Sequence, residues 1–455
     1  MKIAFIVAGR NYLSEENRLP HIGIGYMMSF LEERGHQCFY LDLKLDRLSS
    51  LEPFSPDLVG ITVTSPSYNE DIRIADAIKT NSSSKIVVGG PHVDFVLGDV
   101  LKTTAIDYAV YGEGENTITD LVTALENNSL DDLSQINGLI FRREGKVVVN
   151  PPRPWIQSLD SLPFPAHHNF QKYRYGRYPL LTNRGCPFSC VYCAIGIIWG
   201  RKVRSRSAQN IVEEIEFILK KWGKKPFVAL DDTFNVNINR AKEFCHLLIQ
   251  KRLNISWSCW SFRADNVDQE LAYLLVRSGC TTVSIGIESA NPEILKNIKK
   301  GETIEDITRG IKYLKTAGIE VHGHFMIGNP GDNLETTKES IRYAKKQRLD
   351  AFDFHLAQPY PGTELWNYAV KEGAFISKDY TRFDFLTEIP VFETDAFPIE
   401  DRKEGLRLAR KARQVNSIYS KLTKKRSLSD MVRISKRLIK SLFAKLSSNR
   451  IPLQL

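Results

Sequence analysis

Short apolar runs alternate with amphipathic stretches along residues 2–126 of the chain. Stretches with a helical spacing of apolar residues, such as Gly25–Arg34 and Tyr68–Ile78, lie between the runs. This alternation is typical of a parallel sheet with helices on both faces. Five runs indicate a flavodoxin-like, doubly wound α/β domain over residues 1–137, which would bind a ligand beyond the carboxyl ends of its strands. The predicted strands are Lys2–Val7, Gln37–Leu41, Leu58–Val63, Lys85–Val88 and Asp107–Tyr111.

A β-hairpin and a stiff connector are predicted next, over residues 138–175. Two apolar runs, Leu139–Phe141 and Val147–Val149, flank a turn at Glu144 and Gly145. Prolines then keep the chain out of helices and stiffen it, so we place the boundary between two domains in this connector. These prolines are Pro151, Pro152, Pro154, Pro163 and Pro165.

The same alternation resumes with a longer period in residues 176–395. A helical pattern fills each gap between apolar runs, as at Ile211, Ile215 and Ile218. Repeated βα units of this length predict a partial TIM-type barrel, (β/α)6. Its predicted strands are Leu180–Asn183, Phe227–Leu230, Ser256–Ser261, Thr282–Ile287, Val321–Ile327 and Asp353–Leu356. Residues 396–455 are predicted to form a helical, basic C-terminal region.

The positive charge of the chain lies at its C-terminal end. The 455 residues carry a formal net charge of +9. Residues 401–455 hold 16 Lys and Arg against 3 Asp and Glu, whereas the other residues hold 46 against 50. The body of the protein therefore lacks the basic surface that general binding of nucleic acid needs, and nucleic acid is not expected as a partner.

Two features of the sequence favour a cytoplasmic location. No apolar run of about 18 residues is present, so no transmembrane helix is predicted, and the apolar start Met1–Ala8 reads as a strand and not as a signal peptide. The cysteines are seven in number, with three of them packed into eight positions, which does not fit a secreted disulfide framework.

The motif that carries chemistry is Cys186-x3-Cys190-x2-Cys193, directly after the first predicted barrel strand. Three thiolates in one short loop can hold three irons of a [4Fe–4S] cluster and leave the fourth iron open to a cofactor or substrate. The alternatives are a zinc site and chance clustering, but structural zinc takes four ligands where this segment offers three, and chance rarely puts three of seven cysteines into eight positions. The remaining cysteines fall within apolar patterns, which indicates core thiols; they are Cys38, Cys245, Cys259 and Cys280.

This cysteine loop after a first barrel strand resembles that of the radical S-adenosylmethionine (SAM) superfamily. Tyr192, the aromatic residue before the last cysteine, matches as well, and the resemblance implies that its backbone contacts adenine. It also implies that the open iron chelates the amino and carboxylate groups of SAM. The reduced cluster would then cleave SAM to a 5′-deoxyadenosyl radical that abstracts hydrogen, while the barrel positions and shields the cofactors.

Further segments that resemble motifs of this family lie at the ends of later strands, where barrel active sites are built. The acidic pair after the second strand resembles a segment near the SAM amino group, and the residues after the fourth and fifth strands resemble SAM-contact and glycine–proline motifs. Taken singly, the acids could instead be solvated loop residues. The matching positions are Asp231, Asp232, Gly286, Glu288, Ser289, Gly328 and Pro330.

The N-terminal domain resembles the cobalamin-binding class of this family. The matching positions follow its third, fourth and fifth strands and are Thr62, Thr64, Ser65, Gly89, Gly90, Gly112 and Glu113. One departure is that no Asp-x-His-x-x-Gly segment follows the first strand, so no histidine below cobalt is expected from that loop. His21 and His92 are spare candidates for that ligand. The alternative is a degenerate domain that binds nothing or another nucleotide.

Together these resemblances imply a cobalamin-dependent radical SAM enzyme. The expected reaction is methylation of an unactivated carbon or phosphorus centre of a small molecule, through a 5′-deoxyadenosyl radical and methylcobalamin. An electron donor such as flavodoxin or ferredoxin would reduce the cluster. The first alternative is an oxidative cyclase with the same cofactors. The second is a non-catalytic iron–sulfur or zinc protein associated with a membrane.

The basic tail adds one possible partner. Apolar residues from Met431 to Leu446 share one face of a predicted helix whose other positions are rich in Lys and Arg. Such a helix suits an anionic membrane surface, on the inner face in a cytoplasmic protein, and would favour a hydrophobic or lipid-like substrate. The alternatives are a helix packed on the barrel with a solvated basic face, or contact with nucleic acid.

Overall fold

The computed structural model of the protein describes residues 1–8, 18–384 and 386–423. Its N-terminal sheet holds β1 (Lys2–Val7), β2 (Gln37–Asp42), β3 (Leu58–Thr62), β4 (Lys85–Gly89), β5 (Tyr108–Val110), β6 (Leu139–Arg143) and β7 (Lys146–Val149). The helices that cover it are α1 (Ile22–Glu32), α2 (Tyr68–Asn81), α3 (Pro91–Val96) and α4 (Gly114–Glu126).

The strand order of this sheet is β2-β1-β3-β4-β5-β6-β7. Strands β1 to β5 run parallel, in the order of a flavodoxin-like domain, so the predicted fold is confirmed. The predicted hairpin is also present. Its strand β6 pairs antiparallel with β5, so the hairpin extends the N-terminal sheet.

Both faces of the N-terminal sheet are apolar because helices cover both. Along β1, Ile3 and Phe5 pack into one cluster, while Ala4 and Ile6 pack into the cluster on the other face. Strands buried on both faces read as nearly continuous apolar runs. For this reason the predicted ends of the five parallel strands lie within one residue of the observed ends.

The second sheet is a partial barrel of parallel strands. It holds β8 (Tyr178–Leu180), β11 (Phe227–Ala229), β12 (Trp257–Phe262), β13 (Cys280–Glu288), β14 (Glu320–Ile327) and β15 (Ala351–Leu356). The strand order is β15-β14-β13-β12-β11-β8, with β8 and β15 at the two edges. The barrel is therefore open, as the six βα units predicted. Two small antiparallel pairs are β9 (Asn183–Arg184) with β10 (Arg204–Ser205), and β16 (Gly373–Phe375) with β17 (Phe392–Thr394).

Helices follow the barrel strands as the predicted alternation requires. Several begin at a polar cap; the Ser207 side chain, for example, accepts from the backbone N–H of Asn210. The helices are α5 (Ile195–Ile198), α6 (Ala208–Trp222), α7 (Ile238–Gln250), α8 (Gln269–Arg277), α9 (Pro292–Asn297), α10 (Ile304–Ala317), α11 (Leu334–Lys346), α12 (Glu364–Lys371) and α13 (Ile399–Thr423).

The first barrel strand differs from its predicted range, Leu180–Asn183. Strand β8 begins earlier and contains Pro179, which is tolerated because β8 is an edge strand where a missing N–H leaves no ladder bond unmade. After Leu180 the chain leaves the sheet. Asn183 and Arg184 instead pair with β10, and this ribbon carries the chain into the cysteine loop.

The proline-rich connector is packed against α1 and so fixes how the two sheets sit together. Leu159 and Leu162 are buried against α1 residues, and the backbone N–H of Ala166 donates to the carbonyl oxygen of Gly25 at 3.0 Å. On the other side, Phe95 of α3 stacks on Tyr360 beyond β15 at 5.6 Å between ring centroids. The N-terminal domain therefore lies over the carboxyl ends of the barrel strands.

Helix α13 packs on the barrel through a narrow apolar stripe. Leu406, Ala409 and Ala412 are buried in the barrel core, while the Arg413 guanidinium lies 2.9 Å from the carboxylate of Asp353. This part of the tail therefore agrees with the alternative of a helix packed on the barrel. The predicted apolar face from Met431 to Leu446 lies outside the described residues, and none of the described helices is long and apolar enough to cross a bilayer.

Candidate active site

The three cysteines of the motif lie in one loop at the carboxyl end of the barrel. Cys190 is buried, Cys186 and Cys193 are half-buried, and all are free thiols. The loop is held by backbone hydrogen bonds, because Val191 donates to the carbonyl oxygen of Ile298 at 3.0 Å and its own carbonyl accepts from Leu365 at 2.8 Å. The sequence-predicted trio is thus brought together on a backbone fixed from two sides.

Tyr192, between two of these cysteines, joins the loop to the end of β13. Its hydroxyl donates to Oε1 of Glu288 at 3.0 Å, and Lys300 Nζ lies 3.6 Å from the same oxygen. Burial opposes the charge on Lys300, but Glu288 and Glu302 raise its pKa above the usual value. Gly286 faces this carboxylate, since a Cβ at Gly286 would lie 2.5 Å from Glu288 Oε1. The predicted residues Tyr192, Gly286 and Glu288 therefore share one contact network.

The predicted acidic pair divides into two environments. Asp231 is buried, and its carboxylate accepts from the Thr182 N–H at 2.5 Å, the Thr182 hydroxyl at 2.7 Å and the Asn183 N–H at 2.9 Å. Burial raises the pKa of Asp231, against the opposing effect of Arg240 and of these hydrogen bonds. Asp232 is half-buried and accepts from the Gly185 N–H at 2.8 Å, and burial raises its pKa to about 6. Asp231 ties two strand ends together, whereas Asp232 remains available to a ligand.

This division predicts different results for the two amide variants. Asp231→Asn should lower the free energy of unfolding by about 2–3 kcal/mol, because it removes the charge from a buried acceptor of several hydrogen bonds. Asp232→Asn should lower it by less than about 1 kcal/mol, since one hydrogen bond to a half-buried carboxylate is affected. Chemical denaturation of both variants checks this. Equal losses would contradict the assignment of Asp231 to a holding role.

The remaining predicted barrel residues hold loops in place. The Ser289 hydroxyl accepts from the Asn291 N–H at 3.2 Å and lies 3.5 Å from the hydroxyl of Ser340 on α11. Gly328 has φ = +97°, and a Cβ there would collide with the buried guanidinium of Arg402 from α13. The carbonyl oxygen of Pro330, in the same loop, accepts from Asn297 at 3.2 Å.

A cavity of about 380 Å³ lies between the two domains. The N-terminal domain lines it with the carboxyl ends of β3, β4 and β5, as the doubly wound fold predicts. The predicted residues in this lining are Thr62, Gly89, Gly90 and Gly112. The barrel contributes Leu181, Asn183, Arg184, Ile195, Ile198, Trp199, Leu230 and Asp232.

Three other predicted positions of the N-terminal domain have protein partners and are not in this lining. The Thr64 hydroxyl lies 2.8 Å from that of Ser67, and the Ser65 hydroxyl lies 3.1 Å from Nδ1 of His92. Glu113 forms ion pairs with arginines of the barrel. The sequence placed these residues at the right strand ends but could not show that their side chains bond to other residues of the protein.

Comparisons with known proteins agree with this geometry. A family model described as the radical SAM superfamily matches residues 180–344, and one described as a B12 binding domain matches residues 13–122. An uncharacterised methyltransferase of Pyrococcus horikoshii is 34% identical over 403 residues, which cover 86% of this chain and 86% of that protein. The chain belongs to the radical SAM superfamily. It is a cobalamin-dependent radical SAM enzyme, so the predicted family and enzyme class are confirmed and the non-catalytic alternative is wrong.

Two more relatives bear on the fold and the reaction. The anaerobic magnesium-protoporphyrin IX monomethyl ester cyclase of Rubrivivax gelatinosus is 30% identical over 406 residues, covering 85% of this chain and 72% of that protein. The radical SAM methyltransferase TsrM of Kitasatospora setae, solved with cobalamin and a [4Fe–4S] cluster, superimposes with a TM-score of 0.69 at 22% identity. The superposition covers 82% of this chain and 76% of that chain, and this likeness shows the fold.

The cysteine loop fits the [4Fe–4S] cluster of a radical SAM enzyme. Burial raises the pKa of the Cys190 thiol, and that of Cys193 to about 12, and binding of iron would displace these protons. No group of three His, Cys, Asp or Glu side chains in the described residues is close enough to hold a single ion. Cluster cysteines each bind a different iron and so stand farther apart than the ligands of one zinc ion.

The interdomain cavity fits the corrin of cobalamin, which has a flat ring and amide arms. The walls are largely apolar, which suits the faces of the ring, and the lining also holds the polar side chains of Thr62, Asp94 and Asp232. Such groups can accept hydrogen bonds from amide arms. Of the two spare histidines, His21 lines the cavity but its Nδ1 accepts from Ile24 N–H at 3.4 Å, and His92 is buried beside Ser65.

Sequence reasoning missed the arginines around this site. Arg184 and Arg204 lie on the ribbon that leads into and out of the cysteine loop, and both pair with Glu113. Arg402 reaches Gly328 from the C-terminal helix. The available signal was the position of Arg184 two residues before Cys186, together with the Glu113-x-Glu115 pair in the other domain, but no periodicity links residues so far apart.

Proposed function

We infer that the enzyme methylates an unactivated carbon or phosphorus centre of a small molecule. The observation that carries this is the single cavity shared by the two domains. It runs from Gly89 and Gly112 at the B12-binding strand ends to Arg184 and Asp232 beside the first cluster cysteine. Methylation by two cofactors requires their reactive atoms to meet at one substrate, and a shared cavity supplies that meeting place.

When bound, the cluster and SAM supply a radical that removes hydrogen from the substrate, and cobalamin supplies the methyl group. The chain binds and orients these groups. Cys186, Cys190 and Cys193 hold three irons, and the residues proposed to contact SAM are Tyr192, Asp232, Gly286 and Glu288. The proposed corrin contacts are Thr62, Gly89, Gly90 and Gly112.

Four of the predicted site residues act on the loops and not on a ligand in this proposal. Asp231 bonds two strand ends together, and the Ser289 hydroxyl contacts that of Ser340 on α11. Gly328 and Pro330 shape the loop after β14 against α13 and α9. Glu113 likewise serves the contact between domains.

The second candidate is an oxidative cyclase with the same cofactors, favoured by the cyclase relative at 30% identity. Both reactions begin with the same hydrogen abstraction, so the barrel residues serve either. The substrate is a small molecule in both cases, and a flavodoxin or ferredoxin is the proposed electron donor. If residues 431–446 contact a membrane, the proposed substrate is hydrophobic or lipid-like.

Anaerobic reconstitution tests the proposal. The full chain, loaded with iron, sulfide and hydroxocobalamin and given SAM with a CD3 group, should bind about four irons and one cobalt per chain. With a reduced flavodoxin as electron donor, it should form CD3-labelled methylcobalamin and 5′-deoxyadenosine, and a CD3-labelled small molecule should accumulate in cells that express it and are fed CD3-methionine. An oxidised product without label would favour the cyclase. Absence of cobalt from the reconstituted chain would reject both.

A further inference from the structure

Two acidic residues of the N-terminal domain form ion pairs with the segment directly before the first cluster cysteine. Arg184 lies two positions before Cys186. Its Nη1 donates to Oε1 of Glu113 at 2.8 Å, and its Nη2 donates to Oε1 of Glu115 at 2.5 Å. These three side chains are at most 4% exposed. Charge-assisted bonds in so dry a place are strong and directional.

A second arginine completes the cluster of charges. Arg204 pairs with Arg184 across the β9–β10 ribbon, and its Nη1 lies 2.6 Å from Oε1 of Glu113. The other oxygen of Glu113 accepts from the backbone N–H of Ile156 in the connector at 2.7 Å. Two cations thus face two carboxylates, and Glu113 contacts the cysteine ribbon and the connector at once.

The guanidinium of Arg184 also lies over two aromatic rings. Its centre lies 5.3 Å from the ring of Tyr26 on α1 and 5.3 Å from the ring of Trp199, just beyond the cysteine loop. Arg184, Glu115 and Trp199 all line the interdomain cavity. A planar guanidinium can bond two carboxylates in its plane while stacking on rings above and below, which a lysine ammonium cannot do.

We propose that Arg184 is a positioning residue that fixes the corrin cavity at a set distance from the cluster cysteines. The proposal rests on the proposed function, since it concerns the separation of its two cofactors. The physical reason is that Arg184 is only two residues before Cys186 in the chain. It is also hydrogen-bonded to Glu113 and Glu115, which lie at the start of α4 beside the cavity. A displacement of about 1 Å between reacting groups can cost about 100-fold in rate.

Arg184→Lys tests this, because it keeps the positive charge but loses the paired hydrogen bonds of the guanidinium and its contacts with the two rings. The measurement is pulsed EPR on the reconstituted full chain with a reduced cluster and cob(II)alamin, which gives the distribution of distances between the two spins. We expect a broader or shifted distribution than in the wild type. We also expect methyl transfer from SAM to cob(I)alamin to slow by about tenfold to 100-fold, while reductive cleavage of SAM changes by less than about threefold.

A purely structural role would change neither the distance between the two spins nor the ratio of the rate of methyl transfer to the rate of SAM cleavage. Glu214→Gln is the matched control, because Glu214 is fully buried and pairs with Arg206 and His167 outside the cavity lining. It should lose stability but keep the wild-type distance distribution. If Arg184→Lys does not retain iron, Glu115→Gln replaces it, since that variant leaves the bond from Arg184 to Glu113 in place.

The outcomes separate the inference from the proposed function. An unchanged distance distribution with an unchanged rate of methyl transfer in both Arg184→Lys and Glu115→Gln overturns the positioning role. Equal broadening in Glu214→Gln overturns it too, because loss of any buried charge would then be sufficient. A wild-type chain that binds cobalt but transfers no methyl group to it rejects the proposed methylation instead.

Discussion

Replacing any one of Cys186, Cys190 and Cys193 with alanine should abolish reductive cleavage of SAM. Each thiolate holds one iron, and a cluster that loses one of three protein ligands has a second iron open to solvent. The Thr233 hydroxyl lies 3.5 Å from Cys186 Sγ, but a hydroxyl does not replace a thiolate as a ligand of such a cluster. We expect iron content well below about four per chain and no detectable 5′-deoxyadenosine. Metal analysis and chromatography of the reaction mixture measure both.

The chain supplies its own controls for this experiment. Cys38 is half-buried, as Cys186 and Cys193 are, but it lies on β2 in the other domain, and Cys245 is buried in α7. Cys38→Ala and Cys245→Ala should keep the iron and the activity, at a cost of about 1 kcal/mol in stability for the lost sulfur. Cleavage of SAM by a cysteine-loop variant with depleted iron would contradict the assignment.

The fold could be predicted from the sequence because its parallel strands are short runs with apolar residues on both faces, or on the core face as in β14 and β15, whereas its helices have a longer apolar period. The alternation of apolar runs with helical patterns is a local signal, and it was sufficient to predict both sheets, the hairpin and the open barrel. The error at β8 was also local. Pro179 reads as a strand breaker, and only the neighbouring strands show that β8 is at an edge where proline is allowed.

The site was predictable only where its residues are close in the sequence. The cysteine trio spans eight positions and carries its own pattern, so it could be recognised. The division of labour between Asp231 and Asp232 depends on which carboxylate meets Thr182, 49 residues away. The partners Arg184 and Glu113 are 71 residues apart and belong to different domains. No spacing rule connects such pairs, since they meet only after both sheets have formed.

Blocking the cavity with Gly89→Val should remove cobalamin and leave the cluster in place. Gly89 is the last residue of β4 and lines the cavity. The nearest atom to a Cβ built there is the Val110 carbonyl oxygen at 3.4 Å, an ordinary contact, so a side chain is accommodated by the strand and must extend into the cavity. We expect the affinity for cobalamin to fall about tenfold or more, which corresponds to about 1.4 kcal/mol or more of lost binding energy.

The measurement is cobalt and iron content after reconstitution and desalting. Gly89→Val should hold little cobalt but about four irons, and it should still cleave SAM while transferring no methyl group. Gly98→Val is the matched control, because a Cβ at Gly98 meets only the side chains of Val147 and Val149, which are partly exposed and can shift. Retention of cobalt in Gly89→Val would place the corrin elsewhere. Loss of cobalt in both variants would mean that the N-terminal domain tolerates neither substitution. Loss in Gly89→Val alone would tie cobalamin to the same cavity that Arg184 holds beside the cysteines.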